Sequence, residues 1–109
     1  MDSPTILFSD RNRYIPETDT IEYNGNPIIL MHEMGHRDGI MQGLIKAVLV
    51  THSDEVEAEV YAWKYAAMEL RRQGLWNQEA KDTAKKGLMA HGIPNWLGGD
   101  QQQAIVEGL

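Results

Sequence analysis

Residues 32–36 read His32-Glu33-Met34-Gly35-His36, two imidazoles four positions apart with a carboxylate beside the first. On a helix, residues four apart lie one turn above each other on the same face, with Cβ atoms ~5–6 Å apart. Two imidazole nitrogens at that spacing can reach one metal ion at ~2.0–2.1 Å each and leave further coordination positions open. Glu33 points about 100° around the helix from His32. It is therefore placed beside an open position rather than in the ligand set, where it can take a proton from bound water. A glycine inside a helix costs about 1 kcal/mol relative to alanine, so Gly35 points to a close approach of another segment.

A third protein ligand is needed, and the chain offers three. Gln42 falls in the register HExxHxxGxxQ with Gly39, but neutral glutamine is a weak ligand for zinc. His52 and Glu55 both fall near the start of a later helix, and Glu55 is the preferred candidate. It lies beside the apolar stripe of that helix, which must pack on the first. Glu59, one turn further on, is expected to accept the N–H of a ligand histidine from outside the ligand set. Asp54 and Glu57 read as an acidic helix start favoured by the helix dipole.

The elements that position these residues follow from pattern. Residues 5–9, 13–15 and 20–23 read as strands, with Pro16-Glu17-Thr18-Asp19 as the turn of a hairpin. Asn26-Pro27 is a helix start, with Asn as N-cap and Pro in the first turn; the helix is expected to end near Asp38, at Gly39. Residues 40–50 are apolar, and helix and strand are not distinguished there. A second helix begins near Thr51 to Asp54 and runs to Gln73, with Gly74 as its stop. Val56, Val60, Trp63, Ala67 and Leu70 form its stripe. A third runs from about Asn77 to Ala90 and stops at Gly92. Ile93-Pro94-Asn95-Trp96 reads as irregular, and Asp100 could cap a short helix over 101–107. Strands first and helices after make an α+β pattern.

Composition bounds the rest. The chain has 109 residues, enough for one domain over 1–109, and no cysteine, which excludes disulfides, thiolate metal sites and a cysteine nucleophile. Ten basic against sixteen acidic residues give a net charge of −6, which argues against nucleic acid as a partner. The basic residues Arg71, Arg72, Lys81, Lys85 and Lys86 read as a solvated face, and the six methionines as core filling. No apolar run reaches the ~18 residues of a membrane span, and residues 1–13 lack the pattern of a signal peptide. A cytoplasmic location is expected, with non-classical secretion left open, as is a monomer or small homo-oligomer.

His32-Glu33-x-x-His36 followed by Glu55-x-x-Ala58-Glu59 resembles the glutamate zincins, or gluzincin metallopeptidases. It is similar to their ImmA/IrrE-like and Ste24-like variants, although Glu59 stands where these often have Asp or Asn. The resemblance covers about residues 13–73; Gln42 separates the chain from the three-histidine metzincins. It implies a minimal zincin-like fold and a zinc-dependent endopeptidase acting on a protein or peptide. In that reading His32, His36 and Glu55 bind Zn2+, and Glu33 is the general base. Residues 20–23 form the strand edge that holds substrate, and Tyr61, Tyr65 and His91 are candidate donors to the oxyanion. Residues 93–109 could then cover the cleft. A rival reading is a zincin-like regulatory or toxin-type module acting on one protein partner with little general proteolysis. A third is a structural domain in which the motif arose by chance.

Overall fold

A computed structural model describes residues 3–90 and 106–109. Three short strands come first: β1 (Thr5–Phe8), β2 (Arg13–Ile15) and β3 (Thr20–Tyr23). They form one sheet in the order β1-β3-β2, with β1 parallel and β2 antiparallel to β3. The turn between β2 and β3 makes the expected hairpin, setting Tyr14 opposite Ile21 and Arg13 opposite Glu22. Ile21 is fully buried at the sheet centre.

Helix α1 (Pro27–Met41) starts as expected, with the Asn26 side chain accepting from the Ile28 N–H at 2.9 Å. It does not stop at Gly39. It continues to Met41, and the chain leaves it through Gly43 in the left-handed region at φ +71°. Residues 42–50 carry neither helix nor strand. Helix α2 (His52–Arg72) opens on a capping box: the Thr51 side chain accepts from the Asp54 N–H, and the Asp54 carboxylate accepts from the Thr51 N–H. Gly74 at φ +72° follows its end. Helix α3 (Gln78–Ala90) is capped by Asn77, whose side chain accepts from the Ala80 N–H. The architecture is α+β, a small mixed sheet followed by three helices.

The core joins the helices. Ile28 of α1, Trp63, Ala66, Ala67 and Leu70 of α2, and Ala80, Ala84 and Leu88 of α3 pack with Val106 and Leu109. The Arg71 guanidinium donates to the Leu109 carbonyl at 2.6 Å. The described end of the C-terminal segment thus seals the core. Residues 91–105, which include His91, Gly92, Trp96 and Asp100, lie outside the described residues. Among the described residues, no helix is long and apolar enough to cross a membrane.

Candidate metal centre

The crossing of α1 and α2 builds the site. A Cβ at Gly35 would lie 2.5 Å from the Ala62 carbonyl oxygen and 2.8 Å from its Cα, so the missing side chain is what lets the two backbones touch. Ala58, Ala62 and Ala66, spaced four apart on α2, are buried at this crossing and beside it. Gly39 repeats the device one turn along α1, where a Cβ would meet Ile45 and Tyr61 at 2.8 Å.

The alanine repeat sets the rotation of α2. Val56 and Val60, expected in the buried stripe, are only partly buried; Ala58, Glu59 and Ala62 take the inward positions. This rotation brings Glu59 to the histidines. Its Oε2 lies 2.8 Å from His32 Nε2 and its Oε1 3.1 Å from His36 Nε2. Glu59, not Glu55, is the carboxylate that meets the pair: the expected contact of Glu59 with a motif histidine is present and extends to both, while Glu55 is not among the three grouped side chains. Glu55 is partly exposed and stands outside the group, His52 is exposed, and Gln42 donates to Asp38 at 2.9 Å.

His32, His36 and Glu59 form a group that could hold a metal ion, with one ligand atom from each within 4.8 Å of the others. The donor set fits. Two imidazoles turn the same nitrogen, Nε2, toward one buried carboxylate, a combination suited to a divalent cation of borderline hardness. The environment is tuned for charge. Burial alone pushes the His32 pKa down, but Glu33 and Glu59 beside it override that and raise it to about 9. Burial alone would raise the Glu59 pKa; hydrogen bonds from His32 and His36 hold it well below the usual carboxylate range. Glu33 is buried, with Oε2 3.5 Å from His32 Nδ1. A free carboxylate or imidazole is rarely buried without such partners.

These residues floor an open cleft of about 250 Å³. Its lining includes Asn12, Arg13, Tyr14 and Pro16 in and around β2, and Lys46, Ala47 and Leu49 from the segment between α1 and α2. The strand edge at the cleft is thus β2. Residues 20–23 form β3, paired on both sides, so they have no open edge to offer substrate. Tyr61 and Tyr65 do not line the cleft: they lie in a separate depression with Asp38 and Lys64, and the Tyr61 hydroxyl donates to Asp38. His91 lies outside the described residues.

Sequence reasoning missed a partly buried ion pair beside Tyr14. Arg37, next to His36, donates through Nε and Nη2 to Asp19 at 2.7 and 3.1 Å, and the Tyr14 hydroxyl donates to the same carboxylate at 2.8 Å. Asp19 sits at φ +49°, a conformation unusual outside glycine, in the β2–β3 turn. The trio ties that turn to α1 and fixes Tyr14 at the cleft. The Ala58, Ala62, Ala66 repeat was the signal that could have given the correct face of α2.

No family model matches the chain, and comparison with curated proteins and with solved structures finds no match.

Proposed function

We propose that the chain is a zinc-dependent endopeptidase, with His32, His36 and Glu59 as zinc ligands and Glu33 as general base. The observation that carries the reading is the meeting of both motif histidines with a buried carboxylate on the floor of a cleft, with Glu33 beside them. Zinc held there would supply Lewis-acid polarisation of a carbonyl and lower the pKa of its bound water toward neutrality. The chain's own residues do the rest. Glu33 accepts a proton from the attacking water at a carboxylate oxygen and delivers it to the departing amine nitrogen. β2 has β3 as its one neighbour, so its outer edge is open among the described residues to an extended peptide, through backbone hydrogen bonds. Tyr14 and Leu49 also line the cleft that such a peptide would enter.

Metal analysis together with hydrolysis of a mixed peptide pool tests the reading. The wild-type chain is expected to hold one zinc and cleave peptides; Glu33→Gln is expected to keep the zinc and lose turnover by at least ~100-fold. A chain that takes up no zinc, or a Glu33→Gln variant as active as wild type, overturns it. A zinc-loaded wild type inert toward every peptide would instead favour a module restricted to one protein partner.

A further inference from the structure

His32 is fixed along both of its nitrogens. Nε2 faces Glu59 at 2.8 Å, and Nδ1 faces Glu33 at 3.5 Å. Those contacts act in the plane of the ring, and a neighbour on its face adds a restraint against tilting out of that plane. Trp63 provides one. Its indole stacks on the imidazole with ring centroids 4.3 Å apart and planes 19° from parallel, while the His36 ring stands edge-on at 4.6 Å and 78°.

Trp63 is an odd choice for filling space. It is 1% exposed, and its Nε1–H has no hydrogen-bond partner among the described residues, a condition that buried polar groups in folded proteins seldom tolerate without a reason. Leucine would occupy the core without an orphaned donor, but it lacks the flat aromatic face that lies against His32.

The orphaned edge of the indole points at α3. A Cβ at Gly87 would lie 2.8 Å from Nε1 and Cζ2 and 3.0 Å from Cε2 of Trp63. Gly87 lies inside a helix, where glycine is unfavourable. Its bare backbone leaves the room that the indole occupies. No described residue of α3 lines the cleft, yet α3 reaches the site through this contact.

We infer that Trp63 is a positioning residue for the metal ligand His32, and that Gly87 forms the seat that holds its indole in place. The inference rests on the metal reading above. Groups that orient a ligand histidine typically change metal affinity by about 10–100-fold when altered.

The test is zinc titration of the purified full chain, with competition against a chelator, beside thermal melts of each protein without metal. Trp63→Leu is expected to weaken zinc binding by at least ~10-fold, and Trp63→Phe, which keeps a ring face, to recover most of the loss. Gly87→Ala, with the tryptophan intact, is expected to weaken zinc binding in the same direction. A purely structural role would lower the metal-free melting temperature and leave the affinity of the folded chain unchanged, and that result overturns the inference. If Trp63→Leu does not fold, Gly87→Ala decides: reduced affinity supports the seat, and wild-type affinity removes it. A wild-type chain that binds no zinc fails the metal reading itself, whereas wild-type binding with equal affinity in the folded variants fails only the role of Trp63.

Discussion

His32, His36 and Glu33 were legible because their chemistry depends on local spacing, and one helical turn guarantees it. Glu59 was legible only as a hydrogen-bond partner of one histidine; that it meets both depends on how α2 is rotated about its own axis. The large apolar residues Val56 and Val60 drew the expected stripe toward Glu55, whereas the inward face is lined by alanines that allow close approach. This difference is open to direct measurement. Glu59→Ala is expected to abolish stoichiometric zinc binding, and Glu55→Ala to leave it within about threefold of wild type, since Glu55 is partly exposed and stands outside the group. The reverse ranking, read by metal analysis after dialysis, would restore Glu55 to the ligand set. Gly35→Ala makes a second residue-scale prediction. The added methyl meets the Ala62 backbone, which cannot rotate away, so the helices must separate. Destabilisation of about 1–3 kcal/mol is expected from overpacking, seen as a lower denaturant midpoint at constant slope. A neutral or stabilised variant would mean that the helices can part without cost.

At the scale of elements, starts and stops carried strong local signals and partners did not. Asn26-Pro27, Thr51 with Asp54, and Gly74 each act on their own backbone within a few residues, and each marks the boundary it was expected to mark. The order of the sheet is non-local: β1 pairs with β3 across the intervening hairpin, which turns β3 into the central strand and leaves β2 as the edge at the cleft. Residues 42–50 defeat periodicity for another reason. Their apolar side chains do not enter the core: Leu44, Val48 and Val50 are exposed, while Ala47 and Leu49 wall the cleft. This segment is held at its far end by Asp54, which accepts from the Val50 and Thr51 N–H groups and pairs with Lys46 at 3.0 Å. The Lys46 ammonium and then the Thr51 N–H keep the Asp54 carboxyl below its ordinary pKa. A depressed folded-state pKa contributes stability above the unfolded value, near 3.9, and that contribution is lost as pH falls through the folded value. Wild type is therefore expected to melt above Asp54→Asn at neutral pH in metal-free protein, and the gap to close as pH drops below about 4. A gap that stays constant down to pH 2–3 would show that the charge of Asp54 contributes nothing.

For the whole molecule, the composition of the core sets how much the metal matters. Ala58, Ala62, Ala66, Ala67, Ala80 and Ala84 supply many of the fully buried positions. Alanine gains little on burial compared with the ~1.5–3 kcal/mol of a buried leucine or phenylalanine. Close helix packing has been obtained with small side chains, at the expense of apolar area, in a chain without disulfides. The contact that holds α1 to α2 at the cleft is itself electrostatic: two imidazoles around one carboxylate, buried, with Glu33 adding a further negative charge beside them. Without a cation, hydrogen bonds between the imidazoles and Glu59 hold that arrangement. A divalent ion bound there would supply positive charge directly and link the helices in the folded state alone, so its binding free energy would become folding free energy. At free zinc a thousandfold above the dissociation constant, the stabilisation is about 4.1 kcal/mol. For a domain near this size, 1 kcal/mol shifts the melting temperature by about 4–8 °C. Zinc added to metal-free chain is therefore expected to raise the melting temperature by roughly 15–30 °C, with the shift growing as zinc concentration rises. Chelation should reverse it, and Glu59→Ala should remove it. A melting temperature indifferent to zinc in wild type would mean that the two histidines and Glu59 are held together by their own hydrogen bonds, as a structural ion cluster rather than a metal centre.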